Sequence, residues 1–132
     1  MNKVFKVGLI GCGHIAETYF RGHQYFNNFK IVACADINPK AAEKCAKLYN
    51  IKHTTVNEIL KDQNIEVILN LTIPQSHYSV SKRVLNAGKH VYSEKPLATY
   101  FEKGKELVSL AKKKKLYIGN APDTFLGGGG QK

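Results

Sequence analysis

The chain has 132 residues, a formal net charge of +10 at pH 7, and 43% hydrophobic residues. This length and composition are typical of one globular domain and exclude a disordered or fibrous chain. No apolar run approaches the roughly 20 residues of a membrane span, and the N-terminal residues lack the pattern of a cleavable signal. We therefore predict a cytoplasmic protein with no membrane partner.

The positive charge raises the question of nucleic-acid binding, because clustered lysine and arginine side chains neutralise phosphates. Arg21 and Arg83 are the only arginines, and the lysines are scattered. The one run, at 112–115, ends a predicted helix, where positive charge is favourable. We predict no nucleic-acid partner, although the positive electrostatic field of the chain attracts anionic ligands.

The predicted elements alternate between apolar strands and amphipathic helices. In the first half of the chain, strands are predicted at 5–10, 30–35 and 53–55, and helices at 14–26, 39–49 and 56–61, the last with Thr55 as its cap. In the second half, strands are predicted at 65–71, 90–93 and 116–119, and helices at 74–86 and 99–114. This alternation predicts an α/β fold, a Rossmann-type doubly wound, mainly parallel sheet with helices on both faces.

A glycine motif follows the first predicted strand. Residues 11–16 have the sequence GCGHIA, which is GxGxxA between a strand and a helix. In this setting Gly11 makes the turn, Gly13 lets backbone approach a pyrophosphate, and Ala16 allows close packing of the helix. The phosphates would meet free N–H groups at the positive end of the helix dipole. The motif therefore predicts a dinucleotide site, with a purely structural turn as the alternative.

An acidic residue closes the second predicted strand. Asp36 lies about 20 residues beyond the glycine motif, where a carboxylate accepts hydrogen bonds from the adenosine ribose. A 2′-phosphate would place like charge against Asp36, and no arginine follows it, although Lys40 would soften that repulsion. We predict NAD as the cofactor and consider NADP less favoured. The alternative for Asp36 is a residue that only opens the next helix.

Three further segments follow later strands of the predicted sheet. Thr72 and Pro74 come after the third main strand, at the edge where ligands of open α/β sheets bind. His77 follows early on the next helix, and two interpretations stay open, loop packing or capping and contact with the cofactor. Glu94 and Lys95 end the next strand at the same edge. A lysine there can hydrogen-bond a substrate hydroxyl and move its proton during hydride transfer, so we predict that Lys95 is catalytic.

The three cysteines, Cys12, Cys34 and Cys45, have no CxxC spacing and are odd in number. This fits free thiols in a reducing compartment, and we predict no metal site. A helix N-terminus can lower the pKa of a thiol at the position of Cys12. We favour the alternative, in which Cys12 is a compact residue filling a tight turn.

Five segments in this order, GCGHIA, ADINP, NLTIPQSHY, AGKHVYSEKPLA and GNAPDTFLGGGGQ, resemble the N-terminal domain of the Gfo/Idh/MocA oxidoreductases. The resemblance implies an NAD-dependent dehydrogenase that transfers hydride between a nicotinamide cofactor and a sugar, cyclitol or related polyhydroxy substrate. The cofactor contacts that it implies run from the pyrophosphate through the adenosine ribose to the nicotinamide side. In that order they are Gly11, Gly13, His14 and Ile15, then Asp36, then Thr72, Pro74, His77, Glu94, Lys95 and Asn120.

The predicted domain organisation is a dinucleotide-binding domain at 1–120, followed at 121–132 by a glycine-rich tail or the start of a linker. By the resemblance, family members continue into a second α/β domain that supplies the substrate pocket and commonly the oligomer interface. We therefore expect a truncated, catalytically incomplete NAD(H)-binding domain of a homo-oligomeric enzyme. The alternatives are a stand-alone NAD(H)-binding sensor and a nucleic-acid-binding domain of the same fold.

Overall fold

The computed structural model describes residues 3–121, which contain every predicted helix and strand. In chain order the elements are β1 (Phe5–Ile10), α1 (His14–His23), β2 (Phe29–Ala35), α2 (Pro39–Tyr49), β3 (Lys52–Thr54), α3 (Val56–Lys61), β4 (Val67–Asn70), α4 (Pro74–Asn86), β5 (His90–Ser93), α5 (Phe101–Lys114) and β6 (Ile118–Asn120). The segment predicted at 121–132 as a glycine-rich tail or linker start lies outside the described residues, apart from Ala121. Within 3–121, no helix is long and apolar enough to cross a membrane.

The strands form one six-stranded sheet in the order β3-β2-β1-β4-β5-β6, and every neighbouring pair is parallel. The chain starts at the centre, winds outward through β2 and β3, and then crosses back to place β4 on the other side of β1. This reversal is the topological switch point of a doubly wound Rossmann fold. The predicted fold class is confirmed.

Helices cover both faces of the sheet, and each face has its own apolar core. Val7 and Leu9 of β1 belong to the core under α1 and α2. Ile10 belongs to the opposite core, with Ile68 of β4 and with buried residues of α3, α4 and α5. Burying a large apolar side chain of this kind stabilises the fold by about 1.5–3 kcal/mol. Both faces are covered, which explains why the central strands are nearly continuous apolar runs.

The helix starts follow the local sequence closely. The Asn38 side chain accepts a hydrogen bond from the Lys40 backbone N–H at 3.0 Å, and Pro39 occupies the first turn of α2. Thr55 caps α3 by accepting from the Glu58 N–H at 3.1 Å, as predicted. Such caps satisfy N–H groups that have no partner inside the helix.

Four predicted elements are longer than the observed ones: α1, β4, α5, which begins at Phe101 rather than at 99, and β6, which spans Ile118–Asn120 rather than 116–119. Helix α1 ends at His23 rather than at 26, because the Tyr25 and Phe26 N–H groups donate in turns to Gly22 and His23 on the way to β2. Strand β4 begins at Val67 rather than at 65. The Ile65 N–H donates to the Asp62 carbonyl, so this residue still belongs to the turn after α3.

The carboxyl ends of the strands are aligned by their register. Ile10 pairs with Ala35 on one side and with Asn70 on the other. Asn70 pairs in turn with Ser93, and Ser93 with Asn120. These five residues form one row across the sheet, which we call the terminal row. The segments that follow it therefore leave the sheet along one edge.

We expect Gly11→Ala to destabilise the fold by more than about 2 kcal/mol, because Gly11 has φ +103° and cannot change conformation without moving the turn. An added Cβ would lie 2.5 Å from the carbonyl carbon and oxygen of Leu71. The measurement is urea-induced unfolding followed by circular dichroism. The control is Gly22→Ala inside α1, where a Cβ meets nothing within 4 Å and helix propensity predicts a gain of up to about 1 kcal/mol. Equal stability of the Gly11 variant and the unmodified chain would contradict the expectation.

Candidate functional site

The glycine turn joins the end of β1 to the start of α1. The Gly11 N–H donates to the Ala35 carbonyl at 2.9 Å, which fixes the turn against β2. Gly13 is the N-cap of α1 and supplies no side-chain cap, so the first N–H groups of the helix lack a capping partner. An added Cβ on Gly13 would meet nothing within 4 Å. The space in front of the helix is thus open, as a pyrophosphate cradle requires.

The side chains after Gly13 divide between this opening and the core. His14 and Ile15, both predicted to border the pyrophosphate, are exposed in the first turn of α1. Ala16 is buried in the core between α1 and the sheet. The small side chain at Ala16 therefore allows the close helix packing that the motif predicts.

The Asp36 carboxylate lies beside the glycine turn and is half-buried. Its Oδ2 accepts the Cys12 N–H at 2.7 Å, and its Oδ1 accepts the Asn38 N–H at 2.8 Å. Asp36 therefore connects the turn to the start of α2, in addition to any ligand role. An ionised carboxylate has about four acceptor sites, so each oxygen retains capacity for a further donor. Ribose hydroxyl groups are donors of this kind.

Sequence reasoning missed Asn70, the last residue of β4 and fully buried. Its Oδ1 accepts the Thr72 hydroxyl at 2.6 Å and the Thr72 N–H at 3.3 Å. Its Nδ2 donates to the Ser81 hydroxyl at 2.8 Å and to the His77 carbonyl at 3.0 Å. All its hydrogen-bonding capacity is used, and the bonds hold the Thr72 loop against α4. The sequence signal that could have identified Asn70 is its position as the single polar residue of β4, at the end of this apolar strand.

His77 is buried, with 1% of its surface exposed. Its Nε2 lies 2.7 Å from the Thr72 carbonyl oxygen, and its Nδ1 lies 2.5 Å from the Pro96 carbonyl oxygen. A neutral ring donates to one of these oxygens, and a doubly protonated ring donates to both. Only the doubly protonated form hydrogen-bonds the loop after β4 and the loop after β5 at once, whereas the neutral form bonds one of them and packs against the other. This geometry favours the loop-packing interpretation over direct contact with a cofactor. Pro74 is the first residue of α4.

The loop after β5 carries Glu94 and Lys95. The Glu94 N–H donates to the Asn70 carbonyl at 3.0 Å. Asn120 donates from Nδ2 to the carbonyls of Ser93 at 3.0 Å and Glu94 at 3.1 Å. Lys95 is exposed at this loop, and its peptide bond to Pro96 is cis. Asn120 thus supports the loop that presents Lys95.

Tyr19 of α1 is a second residue that sequence reasoning missed. Its hydroxyl donates to Glu94 Oε1 at 2.8 Å and connects the helix after the glycine turn to the loop after β5. Burial, together with the hydrogen bond to Glu94, raises the pKa of Tyr19. The hydroxyl therefore stays protonated at neutral pH and acts as a donor to the Glu94 carboxylate.

The predicted site residues lie in the terminal row, as Asn120 does, or in the segments that follow it. The glycine turn follows β1, Asp36 follows β2, and the loops with Thr72 and Glu94 follow β4 and β5. A parallel sheet with a switch point beside β1 and a glycine turn at a helix N-terminus defines a Rossmann-type dinucleotide-binding domain.

The chain belongs to the Gfo/Idh/MocA oxidoreductases: residues 5–121 match the model of this family, which is described as an oxidoreductase family with an NAD-binding Rossmann fold.

Relatives and solved structures agree with this assignment. An uncharacterized oxidoreductase of Schizosaccharomyces pombe is 38% identical over 95 residues, which are 70% of this chain and 26% of the relative. An inositol 2-dehydrogenase/D-chiro-inositol 3-dehydrogenase of Lactiplantibacillus plantarum is 30% identical over 114 residues, 83% of this chain and 33% of the relative. A crystal structure of biliverdin reductase from Synechocystis, with biliverdin and NADP+, has a TM-score of 0.87 and 28% identity, covering 96% of this chain and 40% of that one. The chain thus spans about a quarter to a third of the length of these curated relatives.

We expect Asn70→Leu to destabilise the domain by about 2–4 kcal/mol, since it removes the hydrogen bonds of a fully buried side chain to Thr72, to Ser81 and to the His77 carbonyl. The matched control is Asn86→Leu, the same substitution at an exposed position of α4, which we expect to change stability by less than about 0.5 kcal/mol. Urea unfolding of both variants is the measurement. Equal effects at the two positions would show that the buried network contributes nothing to stability.

Proposed function

We propose that the edge after the terminal row binds NAD(H) and that this domain serves a dehydrogenase acting on a polyhydroxy compound. The observation that carries the proposal is the Asp36 carboxylate held by two backbone N–H groups beside the open Gly13 turn. One ligand that satisfies both features is a dinucleotide, with its pyrophosphate at α1 and its adenosine ribose at Asp36. His14 and Ile15 would border the pyrophosphate.

The preference for NAD over NADP rests on charge. A 2′-phosphate would lie against the Asp36 carboxylate, and the following residues, Ile37 to Lys40, include no arginine to bind it. Solved structures of this fold contain either cofactor: GenD2, 18% identical with a TM-score of 0.87, is in complex with NAD, and the Synechocystis biliverdin reductase contains NADP+. Asp36 is therefore the residue that sets the preference in this chain.

The nicotinamide would lie over the loops after β4 and β5, bordered by Thr72, Pro74 and Asn120. NAD would supply the hydride acceptor for oxidation of a carbinol. Lys95, exposed at the end of β5, would hydrogen-bond the substrate hydroxyl through Nζ and take part in moving its proton. Glu94 would bind the nicotinamide ribose, and His77 would hold the two loops at a fixed separation.

The substrate class is a sugar or cyclitol, in keeping with the inositol dehydrogenases among the relatives. In those longer proteins the remaining length would supply substrate contacts and subunit contacts, and we propose a cytoplasmic homo-oligomer for the whole enzyme. The stand-alone sensor is not favoured, because the chain matches an oxidoreductase family and its relatives include inositol dehydrogenases.

We expect Asp36→Asn to weaken NADH binding about tenfold or more, because one charged acceptor for the ribose hydroxyls is lost, an effect of ~1.4 kcal/mol or more. NADPH binding should weaken less or become tighter, because the repulsion of its 2′-phosphate is removed. Isothermal titration with both nucleotides measures the change in selectivity.

The control for this substitution is Glu43→Gln, which removes the same charge from the exposed face of α2, where Glu43 pairs with Lys47 at 3.3 Å. It should leave both affinities within about twofold, as surface charges contribute little. An unmodified chain that binds neither nucleotide would overturn the proposal. An Asp36 variant that retains its NADH affinity and its selectivity would overturn the role of this carboxylate.

We also expect the 132-residue chain to bind NADH but to oxidise myo-inositol with little or no turnover. The match to the family covers the NAD-binding domain, and the proposal assigns the substrate contacts to the remaining length of the relatives. Formation of NADH from NAD, followed by absorbance, is the measurement, with NADH titration as the test of binding competence. Steady turnover by this chain would contradict the expectation.

A further inference from the structure

Three cysteines that are distant in the sequence lie together on the α1/α2 side of the sheet. Cys12 belongs to the glycine turn, Cys34 to β2, and Cys45 to α2. Their sulfur atoms all lie within 4.8 Å of one another. We call this group the cysteine cluster. The three cysteines have no CxxC spacing in the sequence, so the sequence predicts separate free thiols rather than a cluster.

The backbone holds the three sulfurs in place. Strand β2 lies beside β1, with Cys34 opposite Leu9, and Cys12 follows directly after the end of β1. The Cys34 thiol donates to the Ala42 carbonyl of α2 at 3.4 Å, one turn before Cys45. The Cys12 thiol donates to the Ala35 carbonyl at 3.6 Å. The cluster is thus built from three elements whose positions the fold already fixes.

We propose that the cysteine cluster is a binding site for a soft metal ion of low coordination number, specifically Cu+. Thiolates are the ligands that such ions prefer. With metal–sulfur bonds of about 2.3 Å, three sulfurs in a plane around an ion are about 4 Å apart. The observed separations need only a small contraction. Zn2+ in structural sites takes four ligands, and among residues 3–121 this group offers three.

Binding of Cu+ displaces the protons of the thiols, because the ligands of the metal are thiolates. One proton leaves as each metal–sulfur bond forms, so three protons are released for three bonds.

The cluster is also accessible from the surface. Cys34 is fully buried and Cys45 is buried, whereas Cys12 is only partly buried. A cleft of about 400 Å³ between α1 and α2 is lined by Cys12 and Cys45, with Lys44 at its wall. An ion can therefore reach the sulfurs without opening the core.

The test is titration of the reduced 132-residue chain with Cu+ under anaerobic conditions, against a chromogenic Cu+ chelator. We expect one Cu+ bound per chain and its loss in each of Cys12→Ala, Cys34→Ala and Cys45→Ala. X-ray absorption of the loaded, unmodified chain should show three sulfur neighbours and no nitrogen or oxygen. This second measurement decides the matter if a variant does not fold.

The matched control is Ala46→Gly, which destabilises α2 by about 1 kcal/mol but retains all three thiols. It should still bind one Cu+. Three results would each overturn the proposal: no Cu+ retained against the chelator by the unmodified chain, retention by a folded Cys45 variant, or an absorption spectrum with fewer than three sulfur neighbours.

Discussion

Asn70 lies opposite Ile10 on one side and Ser93 on the other, and this register fixes the level at which the strands end. Because Ile10 also pairs with Ala35, the residues that follow leave the sheet side by side. The close approach of Gly11 to Leu71 depends on the same register, since a one-residue slip would bring a different backbone group against the turn. The candidate site is therefore a consequence of strand pairing before any side chain contributes.

Polar side chains then set the spacing of the loops beyond that row. Asn70 holds Thr72, and the His77 ring lies between the Thr72 and Pro96 carbonyl oxygens. A buried polar group left without a partner costs about 1–3 kcal/mol, so this network is stable only when it is complete. The loop that presents Lys95 is thus coupled to the folding of the sheet. This coupling explains why a buried asparagine and a buried histidine stand at the edge of an otherwise apolar core.

The helices and strands are predicted well because they depend on signals within short stretches of sequence, such as apolar runs and helix caps. Continuous apolar runs identify the central strands, and Asn38 and Thr55 mark helix starts through their own caps. The links between elements are not local: Tyr19 and Glu94 are 75 positions apart, and no periodic pattern relates them. The cysteine cluster needs the β1–β2 register and the packing of α2 at once. The sequence leaves two interpretations of His77 open because its contact with the Pro96 carbonyl oxygen joins residues of different segments.

The hydrogen bonds of the Asp36 carboxylate determine which backbone N–H groups of the glycine turn are already occupied. The Cys12 N–H is already bound to this carboxylate, so it is not free to meet a phosphate. The first N–H groups of α1 have no side-chain cap, and of these the Ala16 N–H donates to the Gly13 carbonyl. The carboxylate is therefore oriented by the fold itself, and its two hydrogen bonds connect the turn to the start of α2. A single side chain thus fixes the shape of the turn and occupies one of its N–H donors.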